Sequence, residues 1–217
     1  SADGTTKVVS FTINGANDAA VIGAPTVATL TEDVSVNGSG NLVASGSISI
    51  SDVDQNQALF NTSVDSAAGN LGSLALSSNG SYTYTVSNNA VQYLGDSQKK
   101  VDTFSISSID GVNKSVSFTI TGVNDRPVIT DTNILTNGQI SLSIKQGSIE
   151  KSLLTGSVVQ ATDADTTDQS IPIQYFLDDS TMDGKYSYFS IDELTGAVSI
   201  TKIGAQSIAG ESYDIPT

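Results

Sequence analysis

The chain has 217 residues, with 9 Lys and Arg against 23 Asp and Glu, a formal net charge of −14, and no Cys, His or Trp. That balance argues against nucleic acid and anionic membrane as partners, because both are held by basic footprints. The missing Cys and His remove disulfides, structural zinc and thiol or His-based nucleophiles together, and no run approaches the ~18 apolar residues of a helix inserted in a membrane.

A compact chain this acidic repels itself, so either it is heavily solvated or cations neutralise part of its charge. Its organisation rests on an internal repeat. Residues 3–22 (DGTTKVVSFTINGANDAAVI) and 110–129 (DGVNKSVSFTITGVNDRPVI) agree at 13 of 20 positions without a gap, at a constant offset of 107 residues. Self-similarity at fixed period marks a tandem array of small domains. Each copy ends in an alternating strand (Val9, Phe11, Ile13; Val116, Phe118, Ile120), a Gly and an Asn-Asp hinge. The opening SADGTTKVV has neither region of a signal peptide, and because it starts inside a strand, the chain is expected to be a fragment of a longer protein.

In chain order, residues 1–18 are the last strand (Val8–Asn14) and hinge of a preceding copy. Residues 19–125 form a complete domain, with strands expected near Ala20–Leu30, Leu42–Ser51, Leu59–Val64, Gly72–Leu76, Ser81–Val86, Thr103–Ser108 and Ser115–Thr121. Asn79-Gly80 is a hairpin signal because both turn positions tolerate positive φ, and Asn89–Leu94 is expected to form a helical turn. Short strands at this spacing point to an all-β antiparallel sandwich of immunoglobulin-like type. A second sandwich is expected over 126–217, opened by Arg126-Pro127, where Pro stiffens the junction. Its alternation runs through Ile140, Leu142, Ile144, Val158, Ile173, Tyr175, Phe189, Ile191, Val198 and Ile200, and it stops short of its last strands.

Acidic residues recur at corresponding places in the two domains. Each Asn-Asp hinge (Asn17-Asp18; Asn124-Asp125) is followed by a Glu (Glu32; Glu150) and then an Asp-x-Asp (Asp52 and Asp54; Asp163 and Asp165), and an Asp-Gly precedes the final strand of each copy (Asp3; Asp110). A single Asp-x-Asp in a β protein is commonly a solvated turn. Two of them, each paired with an upstream hinge, favour a cation site, and hard oxygen ligands without His or Cys favour Ca²⁺. That ligand set straddles the domain boundary. Asp178, Asp179 and Asp183 read as a solvated polar loop. Tyr82, Tyr84 and Tyr93 suit either a sugar-stacking face or the core, with burial of Tyr84 or Tyr93 the stronger expectation.

Residues 3–127 resemble the VCBS repeat family of bacterial surface adhesins, through FTITGVNDRPVI, TEDVSVNGSGNLVASGSISISDVD, NGSYTYTVSNNAVQYLG and DTFSISSIDG. Residues 128–217 resemble a bacterial cadherin-like domain, through ATDAD, IQYFL and FSIDELTGAVSI. The resemblance implies tandem cadherin-like β-sandwiches serving as a calcium-rigidified extender in a giant secreted RTX-type adhesin, extracellular, acting in cell attachment and biofilm formation. It implies one calcium site from Asp110, Asn124, Asp125, Glu150, Asp163 and Asp165, and a partial twin from Asp3, Asn17, Asp18, Glu32, Asp52 and Asp54. The expected partners are neighbouring domains of the same chain and surface polysaccharide or protein receptors. The competing reading is a carbohydrate- or peptide-binding module. Catalysis is not expected, since carboxylates shared by calcium are ligands and lack the raised pKa of a general acid.

Overall fold

A computed structural model describes residues 2–130, 153–165, 172–177 and 189–201. The chain separates into two compact units, one of Ser1–Val91 with Lys99–Thr121 and one of Gln92–Gln98 with Gly122–Thr217. The described residues are almost entirely β, with one short 3-10 turn at Asn88–Ala90 that overlaps only the first two residues of the helical turn expected at Asn89–Leu94.

The first unit contains β1 (Val21–Pro25), β2 (Thr29–Thr31), β3 (Asn41–Ser51), β4 (Asp65–Ser66), β5 (Ser73–Leu76), β6 (Ser81–Ser87), β7 (Lys99–Ser107) and β8 (Asn113–Thr121). They form two four-stranded sheets, in the orders β1-β3-β6-β5 and β2-β8-β7-β4. All pairings are antiparallel except β2 with β8, which run parallel with Thr29 opposite Thr119 and Thr31 opposite Thr121. Period-two alternation aims one side of each sheet at the other. From the first sheet come Leu42, Ala44, Ile48, Tyr82, Tyr84 and Val86; from the second, Phe104, Ile106, Val116, Phe118 and Ile120, all buried. The sheets meet through aromatic rings. Tyr84 stacks on Phe118 with centroids 4.5 Å apart and planes 2° from parallel, and Tyr82 and Phe104 approach Phe118 edge-on.

Three elements differ from the alternation pattern. The expected strand Ala20–Leu30 breaks into β1 and β2, which lie in different sheets. The Tyr82 hydroxyl fixes the crossing by accepting from Val27 N at 2.8 Å and donating to Val27 O. The strand expected at Leu59–Val64 is reduced to one bridge, Phe60 with Ser108, ahead of the two-residue β4. At the other extreme, β7 begins four residues before the expected Thr103. The Asn79-Gly80 hairpin forms between β5 and β6, with Gly80 at φ +87°.

β7 also brings a carboxylate inside. Asp102 lies on the same strand face as Phe104 and Ile106 and is fully buried. Its oxygens accept from Leu71 N (2.9 Å), Gly72 N (2.6 Å), the Tyr84 hydroxyl (2.8 Å) and Lys100 Nζ (2.8 Å). Burial works to raise its pKa, but the bonds from Lys100, Gly72, Tyr84 and Leu71 outweigh it, so the carboxyl is held below the usual carboxylate value. Burial, and then the Asp102 charge, push the Tyr84 hydroxyl up.

In the second unit, β9 (Val128–Ile129) pairs with β11 (Ala161–Thr162), and β10 (Leu153–Val158), β13 (Ala197–Ile200) and β12 (Phe189–Ile191) form a three-stranded antiparallel sheet. Val159 and Val198 are buried there, with Tyr175, Phe189 and Ile191 packed on them. The expected positions Ile140, Leu142, Ile144, Glu150, Asp178, Asp179 and Asp183 lie outside the described residues.

Candidate functional site

The two hinges enter their sandwiches in the same way. In the first unit, β1 pairs with the far end of β3, Val21 opposite Ser51, so the chain just before β1 is brought against the residues just after β3. Those residues are Asp52-Val53-Asp54. Asp18 N donates to Asp54 Oδ2 at 2.7 Å, Asp54 N donates to Asp52 Oδ1 at 2.8 Å, and Asn17 Nδ2 donates to Asp18 O at 2.8 Å. In the second unit, Thr162 is opposite Val128, which brings Asp163-Ala164-Asp165 against the second hinge. Asp125 N donates to Asp165 Oδ2 at 2.8 Å, Asp165 N to Asp163 Oδ1 at 3.0 Å, and Asn124 Nδ2 to Asp125 O at 2.7 Å. The three bonds recur atom for atom.

The first unit adds a fourth acid. Ala20 N, in the chain entering β1, donates to Asp110 Oδ2 at 3.0 Å, from the turn between β7 and β8. The Ser108 hydroxyl and the Ala20 amide hold the Asp110 carboxyl below its usual range. Asp52, Asp54, Asp110, Asp163 and Asp165 thus each use one oxygen to hold backbone. In three of them the other oxygen is left over: Asp52 Oδ2, Asp110 Oδ1 and Asp165 Oδ1 are buried with no hydrogen-bond partner, although buried carboxylate oxygens are normally bonded.

This geometry redistributes the expected ligands. Asp110 joins Asn17, Asp18, Asp52 and Asp54 in the first unit, whereas the resemblance grouped it with Asn124, Asp125, Glu150, Asp163 and Asp165. Glu32 leaves that group. Its amide bonds Thr121 O at 2.9 Å and its side chain is fully buried, placing it beyond the C-terminal end of β8, whereas Asp110 precedes the N-terminal end. Nine extended residues at about 3.3 Å each set the two ends roughly 30 Å apart. Asp3 stays in the exposed leading segment, where its carboxylate accepts from Thr5 N at 3.1 Å. The Asp110 assignment was readable in principle: counting strand reversals from the hinge puts the Asp-Gly turn before the last strand at the end where the chain enters.

Among the described residues, no group of three or more Asp, Glu, His or Cys side chains is placed so that it could hold a metal ion. The donor set nevertheless fits a hard cation, being all oxygen, partly buried and short of positive charge. Tyr82 and Tyr84 are core residues and Tyr93 is half-buried, so the first two cannot form an exposed stacking face.

Residues 17–122 match the model of the family described as bacterial cadherin-like domain. The match falls on the domain that resembles a VCBS repeat by its motifs. None of the curated proteins matches the chain. Among solved structures, the chain is similar to the protocadherin gammaB4 extracellular domain (13% identity, 83% of this chain and 27% of that one, TM-score 0.43). It is also similar to the human desmocollin-1 ectodomain (14%, 82% and 32%, 0.38) and to mouse cadherin-23 EC22-24 (16%, 80% and 50%, 0.41). The chain spans half or less of the length of each of these structures. The family match over residues 17–122, just under half of the chain, falls on the two facing sheets of the first unit, a fold in keeping with a bacterial cadherin-like domain.

Proposed function

We propose that this chain is an extender module of a large bacterial surface adhesin, stiffened by calcium where the chain enters each sandwich, and that it serves attachment and biofilm formation outside the cell. The observation carrying this reading is the repeated hinge: the same three bonds fix Asp18 and Asp125 to an Asp-x-Asp, and buried carboxylate oxygens are left over beside them. Asn17, Asp18, Asp52, Asp54 and Asp110 would hold the ion in the first unit; Asn124, Asp125, Asp163 and Asp165 would supply ligands in the second. Bound calcium supplies positive charge that cancels carboxylate repulsion. The protein's part is positional. Backbone amides of Asp18, Ala20 and Asp125 orient the carboxylates, so that a charge placed among them locks the hinge to the sandwich it enters. In an array of such modules, neighbouring domains are then the first partners, and polysaccharide or protein receptors are met elsewhere along the adhesin.

Thermal unfolding and limited proteolysis with calcium and with chelator test the reading. Saturating calcium should raise the melting temperature, since an ion binding only the native state adds about 2.7 kcal/mol at a concentration 100 times its Kd. It should also slow cleavage near Asn124 to Pro127. Asp163→Ala with Asp165→Ala should lose that protection. Identical melting and cleavage in both conditions would overturn the proposal.

A further inference from the structure

Asn37-Gly38 lies in the loop between β2 and β3, and the loop is closed by its own amides. Asn37 N donates to Asn41 O at 2.9 Å, and Gly40 N to Asn37 O at 2.9 Å. Ser39 N and Asn41 N both donate to the side-chain oxygen of Asn37, at 2.9 and 3.0 Å. Of the amides from 37 to 41, Gly38 N alone donates to no described residue. Asn37 through Gly40 are exposed, and a Cβ added at Gly38 would meet nothing within 4 Å. Two main-chain donors on one carboxamide oxygen stabilise negative charge that develops there. The nitrogen one residue along is held close to the same carboxamide carbon, with no side chain of its own to obstruct the approach.

We propose that Asn37-Gly38 is a self-modifying site, at which the folded loop converts Asn37 to aspartate and isoaspartate. Gly38 N bonds to Asn37 Cγ, and Ser39 N and Asn41 N hold the charge that forms on Oδ1. The Cγ–Nδ2 bond then breaks, and Nδ2 leaves as ammonia with the proton lost by Gly38 N. Water opens the resulting five-membered imide, at the side-chain carbonyl to give aspartate or at the main-chain carbonyl to give isoaspartate. Each event adds a negative charge to the loop that leads from β2 into β3.

Asn79-Gly80, in the hairpin between β5 and β6, is the contrasting case. Gly80 N donates to Ser77 O at 2.9 Å, Gly80 is buried, and its carbonyl accepts from Ile48 N at 2.9 Å. Asn79 Oδ1 receives one donor, Ser81 N at 2.9 Å. The attacking nitrogen is engaged and the backbone around it is fixed.

The test incubates the full chain at mildly alkaline pH, folded and in denaturant, and follows both pairs by mass spectrometry of digests, with isoaspartyl methyltransferase labelling to separate the products. Folding should speed conversion of Asn37 by about 10-fold and slow that of Asn79 by at least about as much. Both aspartate and isoaspartate should form at 37. Conversion of Asn37 that is equal or slower in the folded chain overturns the proposal, and so does aspartate without isoaspartate, the product of direct hydrolysis. Gly38→Pro leaves no N–H to lose and should stop conversion at 37 whether or not the loop keeps its shape; conversion at an undiminished rate overturns the role of Gly38 N.

Discussion

The pentapeptide VSFTI occurs twice, at residues 9–13 and 116–120, with opposite fates. The second copy is the centre of a nine-residue strand with Phe118 stacked on Tyr84; the first pairs with nothing in a sheet and holds Phe11 in solvent. Local propensity is the same in both, so the difference lies in the neighbours. Strand formation here is a property of β2 and β7 offering two edges and of Tyr84 offering a surface.

Paired substitutions at the two copies break this comparison most directly. Phe118→Ala removes the ring that joins Tyr82, Tyr84 and Phe104 and should cost about 3–5 kcal/mol in denaturant unfolding. Phe11→Ala should leave the midpoint within about 0.5 kcal/mol, as for any exposed change.

A smaller loss is expected from Asp102→Asn, which keeps shape but loses the charge that Lys100 and two backbone amides bond; about 1–3 kcal/mol is the scale for such a loss. The folded pKa of Asp102 is depressed, so its contribution is present above the unfolded value of about 3.9 and is lost as pH falls through the folded value. Acid titration of unfolding should therefore show a steeper fall below about pH 4 in wild type than in Asp102→Asn.

Next come the paired acids. Asp110→Ala should lower the melting temperature by several degrees and reduce its response to calcium, because Ala20 N loses its acceptor; Asp3→Ala should do neither. Differential scanning calorimetry with calcium and with chelator reads both. The smallest effect sharpens the comparison at the turns. Gly111→Ala, at φ +91°, should cost about 1 kcal/mol, and Gly4→Ala, at φ +84°, should not change the unfolding of the first unit at all.

Alternation located β3, β5, β6 and β8 to within two residues, because each buries every second side chain in a continuous run. It failed where one apolar run serves two sheets. Nothing between Ala20 and Leu30 announces that Tyr82, more than 50 residues away, will fix the chain at Val27. The Asp-x-Asp pairs and hinges were legible as pairs, since short-range spacing and repetition carry them. Their division into sites does not follow from spacing alone: Asp110 and Glu32 are sorted by which end of β8 they occupy, and that requires counting the strand reversals between them. Asp102 was legible in hindsight of its strand: it shares a face with Phe104 and Ile106, a carboxylate in an apolar stripe that has to be bonded on all sides.

The parallel pairing of β2 with β8 bears on how the first sandwich would carry a load. β2 follows the hinge and β8 runs out towards the next one, in the same direction. Tension applied through Asp18 and Thr121 drags the two strands past each other lengthwise, so their bonds must fail together; an antiparallel pair pulled from its shared end would open one bond at a time, like a zip. Only three residue pairs make this shear joint, and stretching a single molecule would register it as one abrupt rupture.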